Sequence, residues 1–362
     1  MKILFLSNTH GKSYSGPSYS IPAQIKAQSN FDEVIWYNSA VSEKQAWNEY
    51  TYYHDINEIP DTSLKSIFAH VGKPDLIIIE QFYNHINYRY LYQVFKCGIP
   101  YFIIPRGQFT KQGQNRSRLK KKAANLLIGR LIIKKAKAVW YLTEQEKTDS
   151  GKRWNENTIV IPNGINMPPK TVAYGQNEII RFVSIGRLEP YQKGLDLLIN
   201  AVYELRERLR GKCRFDIYGA DVDGVANALQ ADIKSKGLTE LIEIHGPAYE
   251  DEKERVLLSS DVFIMPSRFE GHPMALIEAM SYGLPCLVSK GSNMKQEVEE
   301  ARAGWVFDSE LRELKDAIER CIEERDTYHE YGENARNLSS KYNWLEIAKK
   351  THDLLSILTI EG

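Results

Sequence analysis

The chain has 362 residues, 43% of them apolar and 26% charged, more than a single hydrophobic core usually organises, so two domains are expected. That composition, with 23 glycines and 14 prolines, excludes collagen-like and disordered classes, and no short fixed repeat points to a solenoid or propeller. Net charge is zero overall, but residues 1–168 carry about 22 Lys+Arg against about 13 Asp+Glu, so this part is basic by roughly +9 and the remainder acidic by as much.

The chain opens on KILFLS, an apolar run too short for the core of a secretion signal and read as a first buried strand. EVIWY, DLIIIE, YFIIP, AVWYLT and TIVIP follow, separated by amphipathic stretches, the rhythm of a parallel sheet covered by helices. From Gln81 to Thr143 there is no acidic residue, while Arg116, Arg118, Lys120, Lys121, Lys122, Arg130, Lys134, Lys135 and Lys137 crowd together. Interleaved with Leu119, Leu126, Leu127, Leu131 and Ile132, they make Arg116 to Lys137 read as an amphipathic helix. Two uses stay open for it: a domain helix with a solvated basic face, or attachment to an anionic membrane surface.

After Pro162-Asn163-Gly164 comes a polar stretch, Met167 to Asn177, and the rhythm restarts with RFVSIG, RFDIYG, IEIHG, DVFIMPS and PCLVS. Helical patterns such as LDLLINAVYELRERL lie between these strands. The expected domains are 1–168 and 169–342, with an amphipathic helix over 343–362 that can pack back on the first. The longest apolar runs, such as Leu76 to Ile79, fall far below the roughly 20 residues that cross a bilayer. Cys97, Cys213, Cys286 and Cys321 match no metal or redox spacing, so packing roles and a cytoplasmic location are expected.

In doubly wound sheets ligands gather at the carboxyl ends of strands, and two such places in the second half suit phosphate. Gly186-Arg187 follow RFVSI, and Lys193-Gly194 open the next helix. Arginine grips phosphate oxygens with a two-pronged fork and lysine adds a point charge, so the pair reads as a diphosphate clamp, with ordinary surface charges as the plain alternative. The second place is SRFEGHPMALIEAMSYGLP, after DVFIMP. Pro273 suits the first position of a helix that Gly283-Leu284-Pro285 ends. Unpaired amides near Met274, Ala275 and Leu276 are expected to face a ligand, aided by the helix dipole. Glu278 shares their face and, in an otherwise apolar helix, needs a partner that a ribose can supply. Glu270, in the preceding loop, is placed for sugar hydroxyls. Tyr249 sits where a base can stack and equally where an aromatic packs. Tyr14, Tyr19, Trp47, Tyr50, Tyr52 and Tyr53 suit an acceptor platform or the core.

The two glutamates separated by seven residues in EGHPMALIE, the GR…K pair of SIGRLEPYQKG, and IPNGIN resemble glycosyltransferase family 4. SGPSYS resembles that family's glycine-rich loop, and IIPRGQF a subgroup's motif. The resemblance implies an α/β protein of the GT-B fold, with two Rossmann-like domains facing a cleft, the first for the acceptor and the second for the donor. It implies a nucleotide diphosphate sugar, UDP-linked or GDP-linked with UDP favoured, and retention of configuration; the residues themselves offer no credible metal site, so neither metal nor other cofactor is expected. Position by position, Arg187 and Lys193 would hold the diphosphate and Glu278 the ribose. Glu270 and the backbone of Gly271, His272, Met274, Ala275 and Leu276 would hold the sugar and phosphates, with Gly16 and Gly186 shaping the loops. The family's glycine pair is Ser15-Gly16 here, and its histidine gives way to Pro105-Arg106-Gly107. Arg106 is therefore expected as a cation near the leaving phosphate, or as a capping residue. The acceptor would be a glycan or lipid-linked molecule.

Other readings have less behind them. Asp221-Val222-Asp223 could suggest the Asp-x-Asp metal site of A-type transferases, but a polar turn after RFDIYG explains it. No G-x-G-x-x-G follows the first strand of either half, against a dinucleotide oxidoreductase, and the neutral chain lacks a nucleic-acid motif. A sugar-nucleotide epimerase on the same fold, or a non-catalytic carbohydrate- or lipid-surface-binding protein, stays as the alternative.

Overall fold

The structure is a computed structural model that describes every residue except 13–15, 44, 86–88, 116–117, 176, 223 and 361–362, and the side chains of these and of 45, 127, 128 and 360 excepted. The chain divides into two compact units, Met1–Gly164 with Trp344–Gly362, and Ile165–Asn343.

The first unit holds a seven-stranded sheet in the order β3-β2-β1-β4-β5-β6-β7. Its strands are β1 (Lys2–Ser7), β2 (Glu33–Asn38), β3 (Tyr53–Asp55), β4 (Leu76–Glu80), β5 (Tyr101–Ile104), β6 (Ala138–Tyr141) and β7 (Thr158–Val160), and every pairing is parallel. Helices α1 (Pro17–Gln28), α2 (Leu64–Val71), α3 (Arg89–Lys96), α4 (Lys111–Asn115), α5 (Arg118–Ala124), α6 (Arg130–Lys135) and α7 (Glu144–Ser150) connect them. Because parallel strands are covered on both faces, they read as continuous apolar runs, and the five residues Leu76 to Glu80 are all buried.

The second unit holds a six-stranded sheet in the order β10-β9-β8-β11-β12-β13. Its strands are β8 (Ile180–Ile185), β9 (Cys213–Tyr218), β10 (Ile242–His245), β11 (Val262–Met265), β12 (Cys286–Ser289) and β13 (Gly304–Phe307), again all parallel. Helices α8 (Leu195–Leu209), α9 (Ala226–Ser235), α10 (Glu250–Leu258), α11 (Met274–Ser281), α12 (Lys295–Glu300), α13 (Leu311–Glu323) and α14 (Tyr328–Ser340) complete it. The order reverses between β8 and β11, and this switch point opens a crevice at the strands' carboxyl ends.

The polar stretch Met167 to Asn177 packs on the second unit. Val172 N donates to Tyr282 O at 2.9 Å and the Tyr174 hydroxyl to Gly283 O at 2.7 Å, so the division falls earlier, at Gly164. The final helix, α15 (Trp344–Ile360), belongs to the first unit and packs on α1. There His352 Nδ1 and the N-terminal ammonium meet the buried carboxylate of Asp32 at 3.0 and 2.9 Å.

The basic stretch is not one helix with its leucines turned inward. It is α5, a π turn over Asn125–Gly129, and α6. Ile132 and Ile133 are buried, whereas Leu119, Leu126 and Leu131 are 83%, 85% and 55% exposed. Arg116 and the side chain of Leu127 lie outside the described residues. Among the described residues no helix is long and apolar enough to cross a membrane.

Candidate functional site

In the second unit, the sheet's switch point delivers two loops to one crevice lined by Gly186, Arg187, Lys193, Tyr218, Met265 and Ser267. Gly186 N donates to Tyr218 O at 3.0 Å as β8 ends, and the Lys193 chain crosses directly over Gly186. A Cβ there would come within 3.3 Å of Lys193 Cε, so the absent side chain lets lysine and arginine point into the same space. Gly194 follows with φ 66°, a left-handed conformation that glycine takes at no steric cost. A Cβ at this position would lie 2.0 Å from Pro266 O, so only glycine brings α8 this close to the end of β11.

Lys193 Nζ donates to Glu270 Oε1 at 2.7 Å, and Ser267 Oγ donates to the same oxygen at 2.7 Å. Expected as separate binders of phosphate and sugar, Lys193 and Glu270 are partners here, with side chains 19% and 10% exposed. Arg187 is braced by Gln192, its Nη2 donating to Gln192 Oε1 at 3.1 Å.

Sequence reasoning missed the residues that hold the Glu270 loop. Asn293, at φ 61°, donates through Nδ2 to the carbonyls of Glu270 and Gly271. Arg268 forks onto Asp196 at 2.7 and 2.9 Å, and Ser289 Oγ donates to Ser267 O. Asparagine's tolerance of the left-handed region was the one signal available for Asn293.

Helix α11 starts at Met274 with Pro273 as its cap residue, one position later than expected. The amides of Met274 and Leu276 donate to His272 O and Pro273 O, each at 3.0 Å, which leaves Ala275 as the first-turn amide with no hydrogen bond among the described residues. His272 is buried against Tyr342, ring centroids 5.5 Å apart. The partner that Glu278 needs is supplied within the protein: Lys253 Nζ on α10 donates to Glu278 Oε2 at 2.8 Å. Tyr249, half-buried, caps that same helix.

In the first unit, Gly16 caps α1, accepting from the amides of Tyr19 and Ser20 at 3.0 Å; Tyr14 and Ser15 lie outside the described residues. Arg106 is not an open cation. At φ 49°, its guanidinium donates to Glu80 Oε2 (2.6 Å), Ser20 Oγ (3.1 Å), Asn163 Oδ1 (2.9 Å) and Gln24 Oε1 (2.8 Å). Arg106 and Glu80 side chains are 4% and 0% exposed, so the pair ties α1, the end of β4 and the IPNG turn together. Next to it, Glu146 accepts from the amides of Gly107 and Leu142, and burial still pushes its carboxyl above the usual range. Asp221 Oδ1 accepts from Val225 N at 2.7 Å, a turn-forming contact; Asp223 lies outside the described residues.

Residues 169–338 match the family model described as "Glycosyl transferases group 1". A galactosyltransferase of Escherichia coli, "UDP-Gal:alpha-D-GlcNAc-diphosphoundecaprenol alpha-1,3-galactosyltransferase", is 30% identical over 43% of this chain and 41% of its own length. A glycogen synthase of Desulfitobacterium hafniense is 29% identical over 51% of this chain and 40% of its own. The chain thus spans about two fifths of these curated relatives. Among solved structures, Anabaena HepE in complex with UDP superposes with a TM-score of 0.80 over 98% of this chain and 100% of that one, at 18% identity. The sucrose-phosphate synthase of Thermosynechococcus elongatus gives 0.77 over 100% of both chains, at 15% identity. These likenesses show the fold: two Rossmann-like α/β domains of the GT-B kind.

Proposed function

We propose that the protein is a retaining glycosyltransferase that moves a sugar from a UDP-sugar to a glycan or lipid-linked acceptor in surface polysaccharide or glycoconjugate synthesis. One observation carries the reading: Arg187, Lys193 and Glu270 converge at the switch point of the second sheet, within the segment that matches the group 1 transferase model. The UDP-utilising name of the Escherichia coli relative and the UDP complex of HepE support that donor.

In this reading a diphosphate enters between Arg187, Lys193 and the Ala275 amide. Lys193 exchanges the Glu270 carboxylate for phosphate oxygen, and Glu270 is released towards the donor sugar's hydroxyls while Ser267 keeps hold of one oxygen. Glu278, held by Lys253, takes the ribose. The fixed positive charges stabilise the negative charge that builds on the departing diphosphate. The bond from the anomeric carbon to the phosphate oxygen breaks as the acceptor oxygen bonds the same face, and the acceptor's proton passes to a phosphate oxygen. A double displacement would need a carboxylate free to attack the anomeric carbon, and both glutamates have binding work instead. Arg106 acts as a positioning residue, holding the first unit's strand ends. No metal enters the step, so chelators should leave it unchanged. The protein works at the cytoplasmic membrane face, bound through the exposed leucines and lysines of α5 to α6.

Calorimetry with UDP, GDP and ADP tests the reading. UDP should bind to the wild-type protein, and absence of heat with all three nucleotides would remove it.

A further inference from the structure

Three side chains belonging to no sequence motif meet in the first unit. His54 lies on β3, the sheet's edge strand, Glu58 in the turn after it, and His70 in the last turn of α2. His54 Nδ1 is 2.9 Å from Glu58 Oε2, and His70 Nε2 is 2.7 Å from Glu58 Oε1. The ligand atoms these residues offer all lie within 4.8 Å of one another, and the two rings stand edge to face with centroids 5.5 Å apart.

Each of the three is carried by backbone fixed for its own reasons. β3 is registered on β2 with His54 opposite Tyr37. The turn is set by Asp55, whose Oδ1 accepts from Asn57 N at 2.8 Å and whose carbonyl accepts from Ile59 N at 2.9 Å. Helix α2 is capped by Ser63, which accepts from Ser66 N at 3.2 Å. Each imidazole nitrogen that faces Glu58 can donate to its carboxylate or, without its proton, offer a lone pair to a cation placed among the three groups, and metal binding uses the second form.

We propose that His54, Glu58 and His70 form a divalent-cation site that takes zinc. Two imidazoles and a carboxylate are the donor set of open zinc sites, with one position left to water, whereas magnesium asks for oxygen ligands throughout. Zinc needs its ligands at roughly 2.0–2.2 Å, and the exposed ends of Glu58 and His70, both 44% exposed, can turn to reach it. The ion would staple the edge strand to α2. The comparable group in the second unit, Asp216, Glu243 and His245, already has its cation: Arg214 donates to both carboxylates.

Metal-stripped protein titrated with zinc, by calorimetry and by thermal denaturation, tests the site. The wild type should bind one zinc per chain and melt at a higher temperature, while magnesium at the same concentration does neither. His70→Ala and Glu58→Gln, checked as folded by circular dichroism, should each bind zinc roughly 100-fold more weakly or worse, since even outer-shell partners are worth about 10- to 100-fold. Cys97→Ser and His245→Ala, which remove the half-buried thiol and the second group's imidazole, should bind as the wild type does. No zinc binding, or binding that survives both His70→Ala and Glu58→Gln unchanged, would overturn the assignment.

Discussion

Lys193 and Glu270 hold each other, and that bond separates the consequences of neighbouring substitutions. If the proposed clamp is right, Arg187→Ala and Lys193→Ala each remove a charge-assisted contact to the diphosphate, and calorimetry should show UDP bound about 10- to 150-fold more weakly, from roughly 1.5–3 kcal/mol each. Glu270→Ala frees Lys193 and should leave UDP affinity unchanged or tighter while lowering transfer. Glu278→Ala should weaken UDP binding itself. Equal loss of UDP affinity in the two glutamate variants would contradict the division. That Arg187, Lys193 and Glu270 meet was legible because they follow strand ends of one parallel sheet, where loops gather. Their partners were not, because Lys253, Ser267 and Asn293 are common residue types that tertiary structure alone brings into place. His85 offers a different residue-scale test. It is fully buried, with Nε2 on Glu80 O at 2.6 Å, and burial holds its ring down at about 4. A folded value below the ordinary one of about 6.5 means that the unfolded chain takes the proton first. This contribution to stability is whole above about pH 6.5 and is lost as pH falls towards about 4. Denaturant unfolding at pH 7 and pH 4.5 should show the wild type losing on the order of 2–3 kcal/mol more than His85→Gln; parallel losses would contradict it.

Among elements, the apolar strands were the easiest to read, since two-sided burial leaves continuous runs of Ile, Leu and Val. β3 and β13 escaped notice: YHD is three residues on a sheet edge, and GWVF opens on a glycine with φ 148°. The basic stretch was legible in charge but not in packing, because a leucine at helical spacing reads the same whether its face meets a core or solvent. Leu119, Leu126 and Leu131 point outward beside exposed Lys120, Lys122 and Arg130, which suits an interface where apolar groups enter lipid and basic groups meet its headgroups. Lys121 is engaged otherwise, donating to Gly113 O and lying 5.0 Å from the Tyr83 ring. Lys120→Glu with Lys122→Glu should therefore abolish most co-sedimentation with anionic vesicles, each lysine being worth on the order of 1 kcal/mol, and leave UDP binding intact. Indifference of the wild type to anionic vesicles at low salt would point to an acceptor met in solution.

At the scale of the molecule, the family match stops within the second unit, and the charge imbalance runs with it. The first unit lies outside that match, and its polar network around Arg106 and Glu80 is buried. The chain closes on itself through α15, which returns to α1, a return the amphipathic tail allowed but did not specify. The central claim is transfer with retention, and proton NMR of the reaction tests it most directly. With a UDP-sugar, a lipid-linked or glycan acceptor and a chelator present, UDP should appear in step with a product whose anomeric configuration matches the donor's. An epimerised UDP-sugar with no sugar transferred, or a product of inverted configuration, would contradict the account.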